Sequence, residues 1–227
     1  MTAPEAVLCI KYALMNINTA LPVEQTLFLL SSTEDVLYNS HNSHNSHNSH
    51  NSHNSQDLVG LFNAAFTKTE NTVLVRGGHE PIYIPAKNAQ HRHQIVFAHG
   101  YFSSALHEIS HWCIAGKQRR LLEDYGYWYS PDGRDIKQQT EFEKVEVKPQ
   151  AIEWAFSCAS GKPFTVSTDN LNGGPVNIHG FQQAVKEQVL LYLDSGFPCR
   201  ASQFIDILHG FYQTVALRKE MFDAQPA

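Results

Sequence analysis

The sequence lacks the features that mark several broad classes of protein. Its apolar runs are too short to span a bilayer, and its N-terminus has neither the basic region nor the small-residue cleavage site of a secretory signal. Acidic residues outnumber lysine and arginine, so the formal net charge is −5 and no basic surface for nucleic acid is predicted. The four cysteines lie far apart without a C-x-x-C pair, as expected of reduced thiols. We therefore predict a cytoplasmic protein that binds neither nucleic acid nor a membrane directly.

The composition of the 227 residues is that of a folded protein, because 42% hydrophobic and 11% aromatic residues suffice for a sizeable core. An Asn-Ser-His repeat fills residues 39–55 and is predicted to be disordered, since it has no apolar side chain to bury. In front of it lies an N-terminal extension of uncertain structure, residues 1–38. The main domain is predicted over residues 56–217, and residues 218–227 are predicted to form a C-terminal tail.

The most specific chemical signal is the H-E-x-x-H motif formed by His107, Glu108 and His111. Two histidines four residues apart lie on one face of a helix, so both imidazoles can bind one metal ion while the glutamate reaches a metal-bound water. A surface helix that carries two histidines by chance is the alternative interpretation. The motif therefore predicts a transition-metal site.

The surroundings of the motif favour a helix that packs into the core. Ser103 or Ser104 can cap its start, Gly116 can end it, and residues 95–98 just before it read as a short buried strand. An apolar stripe at helical spacing predicts one buried face: Leu106, Ile109 and Cys113.

Two histidines are too few ligands, so a third is sought downstream, as zinc hydrolases and non-haem iron oxygenases both have one. Glu143, Glu146 and Glu153 share a helical face in a glutamate-rich segment. Pro149 leaves two possibilities open, because proline is unfavourable inside a helix. Either a helix begins near Pro149, or one helix runs through it. Spacing alone does not choose between Glu146 and Glu153.

The remaining patterns predict an α+β fold in which helices flank a small mixed sheet and the motif helix is zincin-like. Asp57 can cap a helix, residues 72–76 and 81–85 read as strands, and Gly196 can end a later helix. Apolar residues at helical spacing predict three helices, with the faces Leu58, Leu61, Phe62, Ala65 and Phe66; Phe181, Val185, Val189 and Tyr192; and Phe204, Leu208, Phe211 and Tyr212.

Five ordered blocks between residues 56 and 213 resemble those of the elongation factor P hydroxylase family. They are residues 107–117, 124–129, 131–135, 142–151 and 167–171. The resemblance implies a non-haem Fe(II) enzyme that uses molecular oxygen to hydroxylate the β-lysylated lysine of elongation factor P. It also implies a two-histidine-one-carboxylate site with Glu146 as the carboxylate and Glu153 as the second choice.

The implied chemistry assigns expectations to further residues. Glu108 is expected to orient a water or move protons. The long cationic substrate is expected to bind in an acidic, aromatic cleft by charge pairing and cation–π contacts. The candidates for that cleft are Asp124, Tyr127, Trp128, Asp132 and Asp135.

Two other functions are compatible with the motif. In a zinc hydrolase, Glu108 would serve as general base toward a metal-activated water. In a non-catalytic binding module, a purely structural metal would need a closed site of four ligands, and His99 is the most convenient addition.

Overall fold

The structure is a computed structural model that describes residues 53–123, 133–170 and 177–223. Those residues form an α+β fold, as predicted. In chain order the elements are α1 (Ser55–Phe66), β1 (Thr72–Arg76), β2 (Ile82–Ile84), β3 (His93–Phe97), α2 (Phe102–Ile114), α3 (Ile136–Ser160), α4 (Ile178–Ser195) and α5 (Cys199–Tyr212), with 3-10 turns at Arg119–Leu121 and Lys219–Phe222.

The sheet is small and mixed. β3 lies in the centre, parallel to β1 with Thr72 opposite His93, and antiparallel to β2 with Ile82 opposite Val96. Alternate residues of β1 and β3 are buried. This alternation is typical of a sheet with one covered face, and α1 and α2 both contact the sheet.

The core around the motif helix is built from aromatic rings. Trp112 of α2 lies edge-on to Phe62 and Phe66 of α1, with ring centroids 5.0 and 4.9 Å away. Phe204 of α5 contacts Phe62 at 5.9 Å. The interlocking of three helices fixes the rotation of α2 about its own axis, and thereby the direction in which its histidines point.

Helix α3 runs through Pro149 without a break, which answers the question that the sequence left open. Asp135 begins it with a reciprocal capping box to Gln138, and Gly161 ends it in the left-handed conformation at φ +70°. Pro149 donates no bond to the carbonyl of Val145. Burial of much of the later half of the helix offsets that loss.

Three predicted caps and boundaries differ in the structure. Asn54, not Asp57, caps α1 by accepting a bond from the amide of Gln56. Tyr101 precedes α2 without a side-chain cap, because the hydroxyl of Ser104 accepts a bond from the amide of Ala98 instead. The motif helix ends one residue earlier than predicted, at the cap Ala115.

The domain is longer at both ends than the predicted limits of residues 56 and 217. His53, in the repeat, packs its ring 5.1 Å from Phe102, and Ser55 already belongs to α1. Phe222 is fully buried and lies 5.1 Å from the ring of Trp154. Both ends therefore contribute contacts that a hydrophilic repeat and a tail were not expected to make. Residues 1–52 lie outside the described ranges.

Gly196 ends α4 as predicted. Helix α5 contains all four residues of its predicted apolar face, of which Phe204 and Leu208 are buried, whereas Phe211 is exposed. No helix among the described residues is long and apolar enough to cross a membrane.

Candidate metal centre

Helix α2 presents the motif on a different side from its apolar stripe, toward α3. Its predicted apolar stripe is buried, whereas His107, Glu108 and His111 are partly exposed. The two imidazoles lie one turn apart in an edge-to-face arrangement, with ring centroids separated by 4.7 Å and an interplanar angle of 72°. This is the arrangement that an i, i+4 pair of histidines produces on a helix.

Three side chains meet at one point. The Nε2 atoms of His107 and His111 are 3.1 Å apart, and the Glu146 carboxylate lies 3.2 Å from His111 Nε2 and 3.6 Å from His107 Nε2. Ligand atoms bonded to one first-row metal ion at about 2.1 Å are separated by about 3.0–3.4 Å, depending on the bond angle. The two imidazoles and the carboxylate therefore fit around a single ion after small adjustments.

Glu146 reaches this point from helix α3, which packs against α2. Its side chain is 1% exposed and also lies near the amide of Gln150. Burial raises the pKa of Glu146, but the charges and hydrogen bonds of the neighbouring histidines and Gln150 outweigh burial and lower it to about 2. The carboxylate is thus held in its ionised form, as a metal ligand must be.

Glu153 contacts the other nitrogen of the same imidazole. Its Oε2 lies 2.8 Å from Nδ1 of His107. Burial lowers the pKa of His107, but the Glu153 hydrogen bond and the charges of Glu153, Glu146 and Glu108 raise it to about 10. The sequence offered Glu146 and Glu153 as alternatives for one position, and the structure brings both to His107 at different atoms. Their offset of seven residues was the signal for this pairing, provided that the helix does not break at Pro149.

Glu108 borders the three side chains. Burial raises the pKa of its carboxyl, and the nearby histidines counteract that effect only in part. Within the described ranges, its carboxylate makes no hydrogen bond or ion pair. Glu108 is thus a partly desolvated carboxyl group next to the candidate metal site, and its oxygens are free to contact a water or a bound molecule.

The other predicted site residues lie away from the candidate metal centre or outside the described residues. His99 does not join the metal-binding group found among the described residues, and its ring lies beside His79 and Tyr101 at 5.3 and 5.4 Å. Asp135 is exposed and uses its carboxylate to cap α3. The other four candidates for the substrate cleft lie outside the described residues: Asp124, Tyr127, Trp128 and Asp132.

Comparison with known proteins assigns the chain to a family. Residues 61–222 match the family model described as elongation factor P hydroxylase. The chain is also 52% identical over 159 residues to the elongation factor P lysine hydroxylase of Haemophilus influenzae. The aligned region covers 70% of this chain and 89% of that protein. The family match includes the whole candidate metal centre and reaches Phe222. The chain therefore belongs to the elongation factor P hydroxylase family.

Proposed function

We propose that this protein hydroxylates the β-lysylated lysine of elongation factor P in an iron-dependent reaction with molecular oxygen. The relative with 52% identity is named for lysine hydroxylation of that factor. The observation that supports a metal-dependent reaction is the meeting of His107, His111 and Glu146, whose ligand atoms all lie within 4.8 Å of one another.

His107, His111 and Glu146 would hold Fe(II) through two imidazole nitrogens and one carboxylate. A bound ferrous ion supplies the one-electron chemistry by which dioxygen reacts with an unactivated C–H bond. Three protein ligands leave positions for small molecules, which a closed structural site would not. In this respect we propose that α2 is zincin-like in its use of the motif.

The balance of the reaction indicates a task for Glu108. Inserting one oxygen atom into a C–H bond and releasing the other as water consumes two electrons and two protons, so an external reductant is needed. The carboxyl of Glu108 directly follows the ligand His107 in the chain and makes no hydrogen bond or ion pair within the described ranges, so it can exchange a proton with an adjacent oxygen. We assign that proton transfer to Glu108.

The substrate side chain would be oriented by its positive charge. An ammonium group is recognised by carboxylates and aromatic faces, which the segment containing Asp124, Tyr127, Trp128 and Asp132 provides in sequence. Asp135 is a weaker candidate because its carboxylate already accepts a hydrogen bond from the amide of Gln138.

The cysteines support the proposed cytoplasmic location. Cys113 and Cys158 are free thiols in the structure. Reduced thiols are typical of proteins in the cytoplasm.

The test is a reaction with purified β-lysylated elongation factor P. The full-length protein, Fe(II), a reductant and oxygen should raise the mass of the modified factor by one oxygen atom, and the unmodified factor should react poorly. His111→Ala should abolish the reaction together with iron binding. Glu108→Gln should retain iron but slow turnover.

The same experiment discriminates against a zinc hydrolase. Reactions with Zn(II) in place of Fe(II), and with iron but no oxygen, are the matched controls, and neither should change the mass of the factor. Cleavage of the factor, or activity supported by zinc alone, would refute the proposed hydroxylation.

A further inference from the structure

The imidazole of His107 lies between two carboxylates that come from the same helix. Glu146 faces its Nε2 atom at 3.6 Å, and Glu153 contacts its Nδ1 atom at 2.8 Å. The side chains of His107 and Glu153 are only 15% and 12% exposed, so water competes weakly for the contact. Glu153 is therefore within hydrogen-bonding distance of the ring edge that faces away from the meeting point of the three candidate ligands.

A carboxylate accepts hydrogen bonds but donates none, so the contact requires a proton on Nδ1 of His107. In a neutral imidazole with that proton on Nδ1, the lone pair is on Nε2. Nε2 is the atom that lies 3.1 Å from Nε2 of His111. The hydrogen bond to Glu153 thus selects the tautomer in which His107 can bind a metal at this point, and it restrains rotation of the ring.

Resting on the metal site proposed above, we infer that Glu153 is a positioning residue that orients His107 for metal binding and strengthens it as a ligand. A negative charge on the far side of an imidazole increases the basicity of the coordinating nitrogen. The alternative, in which Glu153 is itself the third ligand, does not fit the geometry. Glu146, not Glu153, belongs to the group whose ligand atoms lie close together.

The experiment measures Fe(II) affinity of the full-length protein under anaerobic conditions. Glu153→Ala should weaken binding by about 10-fold to 100-fold, as loss of such a partner does at other metal sites. Glu153→Gln should weaken it less, because the amide oxygen accepts the same hydrogen bond without the charge. The matched control is Glu141→Ala, which removes an exposed glutamate of the same helix that pairs with Lys144.

A second measurement reports the hydrogen bond itself. In the Zn(II)-loaded protein, the Nδ1 proton of His107 should give a downfield NMR resonance that exchanges slowly with water. This resonance should be retained in Glu153→Gln and should disappear, or exchange rapidly, in Glu153→Ala. A merely structural role of Glu153 would change the melting temperature without this pattern. If the alanine variant does not fold, the glutamine variant still tests the charge through its affinity.

The outcomes separate this inference from the proposed metal site. Unchanged Fe(II) affinity and an unchanged Nδ1 resonance in Glu153→Ala would overturn the positioning role, provided that His107→Ala abolishes binding. Wild-type affinity in His107→Ala would instead overturn the metal site. Complete loss of iron in Glu153→Ala with full retention in Glu146→Ala would make Glu153 the ligand and overturn the inference.

Discussion

Arg200 of α5 binds the C-terminal end of the motif helix directly, and its replacement gives a quantitative test of the fold. Its guanidinium donates hydrogen bonds of 2.8, 3.1 and 2.6 Å to the carbonyls of Trp112, Cys113 and Ala115, at the C-terminal end of α2. The same group lies 4.6 Å from the ring centroid of Trp112 and 3.9 Å from the carboxylate of Glu70. One side chain thus binds three carbonyls at the end of the helix, of which that of Trp112 also accepts a bond from the amide of Ala115, and it places a positive charge at the negative end of the helix dipole.

We expect Arg200→Ala to lower the free energy of unfolding by about 2–4 kcal/mol. A hydrogen bond to a charged group contributes about 1.5–3 kcal/mol, and a cation at a helix C-terminus up to about 2 kcal/mol in a partly buried position. The contributions are not additive, because one group makes them all. For a domain of this size, the melting temperature should fall by about 4–16 °C.

Urea denaturation followed by tryptophan fluorescence measures the change. Arg200→Lys should fall between the alanine variant and the wild type, because an ammonium keeps the positive charge but loses the planar group that lies over the Trp112 ring and the second nitrogen near Glu70. Lys144→Ala serves as control, since its exposed pair with Glu141 contributes little. A free energy for Arg200→Ala within about 0.5 kcal/mol of the wild-type value would refute the reasoning.

Three further predictions concern packing, backbone conformation and thiol reactivity. Phe222→Ala should destabilise the domain by about 3–5 kcal/mol in urea denaturation, because the ring is fully buried beside Trp154; a wild-type midpoint would show that Phe222 is dispensable. Gly100→Ala should cost about 1–3 kcal/mol, measured in the same way, since φ is +69° and a side chain is strained in that conformation; no loss would contradict the left-handed backbone. Burial raises the pKa of Cys113 to about 12, so little thiolate exists below that pH in the folded chain, and iodoacetamide at pH 8 should modify Cys113 only after unfolding, as peptide mass spectrometry can show. Rapid modification of the native protein would be inconsistent with this burial.

The sequence predicted those elements whose signals are local. β1 has the predicted bounds of Thr72 and Arg76, and α4 ends at the predicted Gly196, because period-two alternation and a terminal glycine act within a few residues. The predicted N-cap of α1 was wrong because two nearby residues could each cap the helix. Asn54 and Asp57 are both good capping residues, and the choice of Asn54 depends on where the chain enters the domain.

The site was predictable in its histidines and less so in its carboxylates. His107 and His111 followed from the spacing of four residues, whereas Glu146 was chosen by family resemblance. The offset of seven residues pointed to a contact of Glu153 only if α3 continues through Pro149, which the sequence left open. Intrinsic propensity disfavours that continuation by about 3 kcal/mol, and only the tertiary packing of the later half of the helix overcomes it.

The continuity of α3 also determines where the chain tolerates changes in length. Glu146 and Glu153 are separated by about two helical turns, so both project toward the same side of the helix. One residue inserted between them would turn Glu153 by about 100° and move it about 1.5 Å along the axis relative to Glu146. Insertions beyond Gly161 leave the pair in register. The segment between Glu146 and Glu153 must therefore keep its length, and it should tolerate substitutions more readily than insertions or deletions.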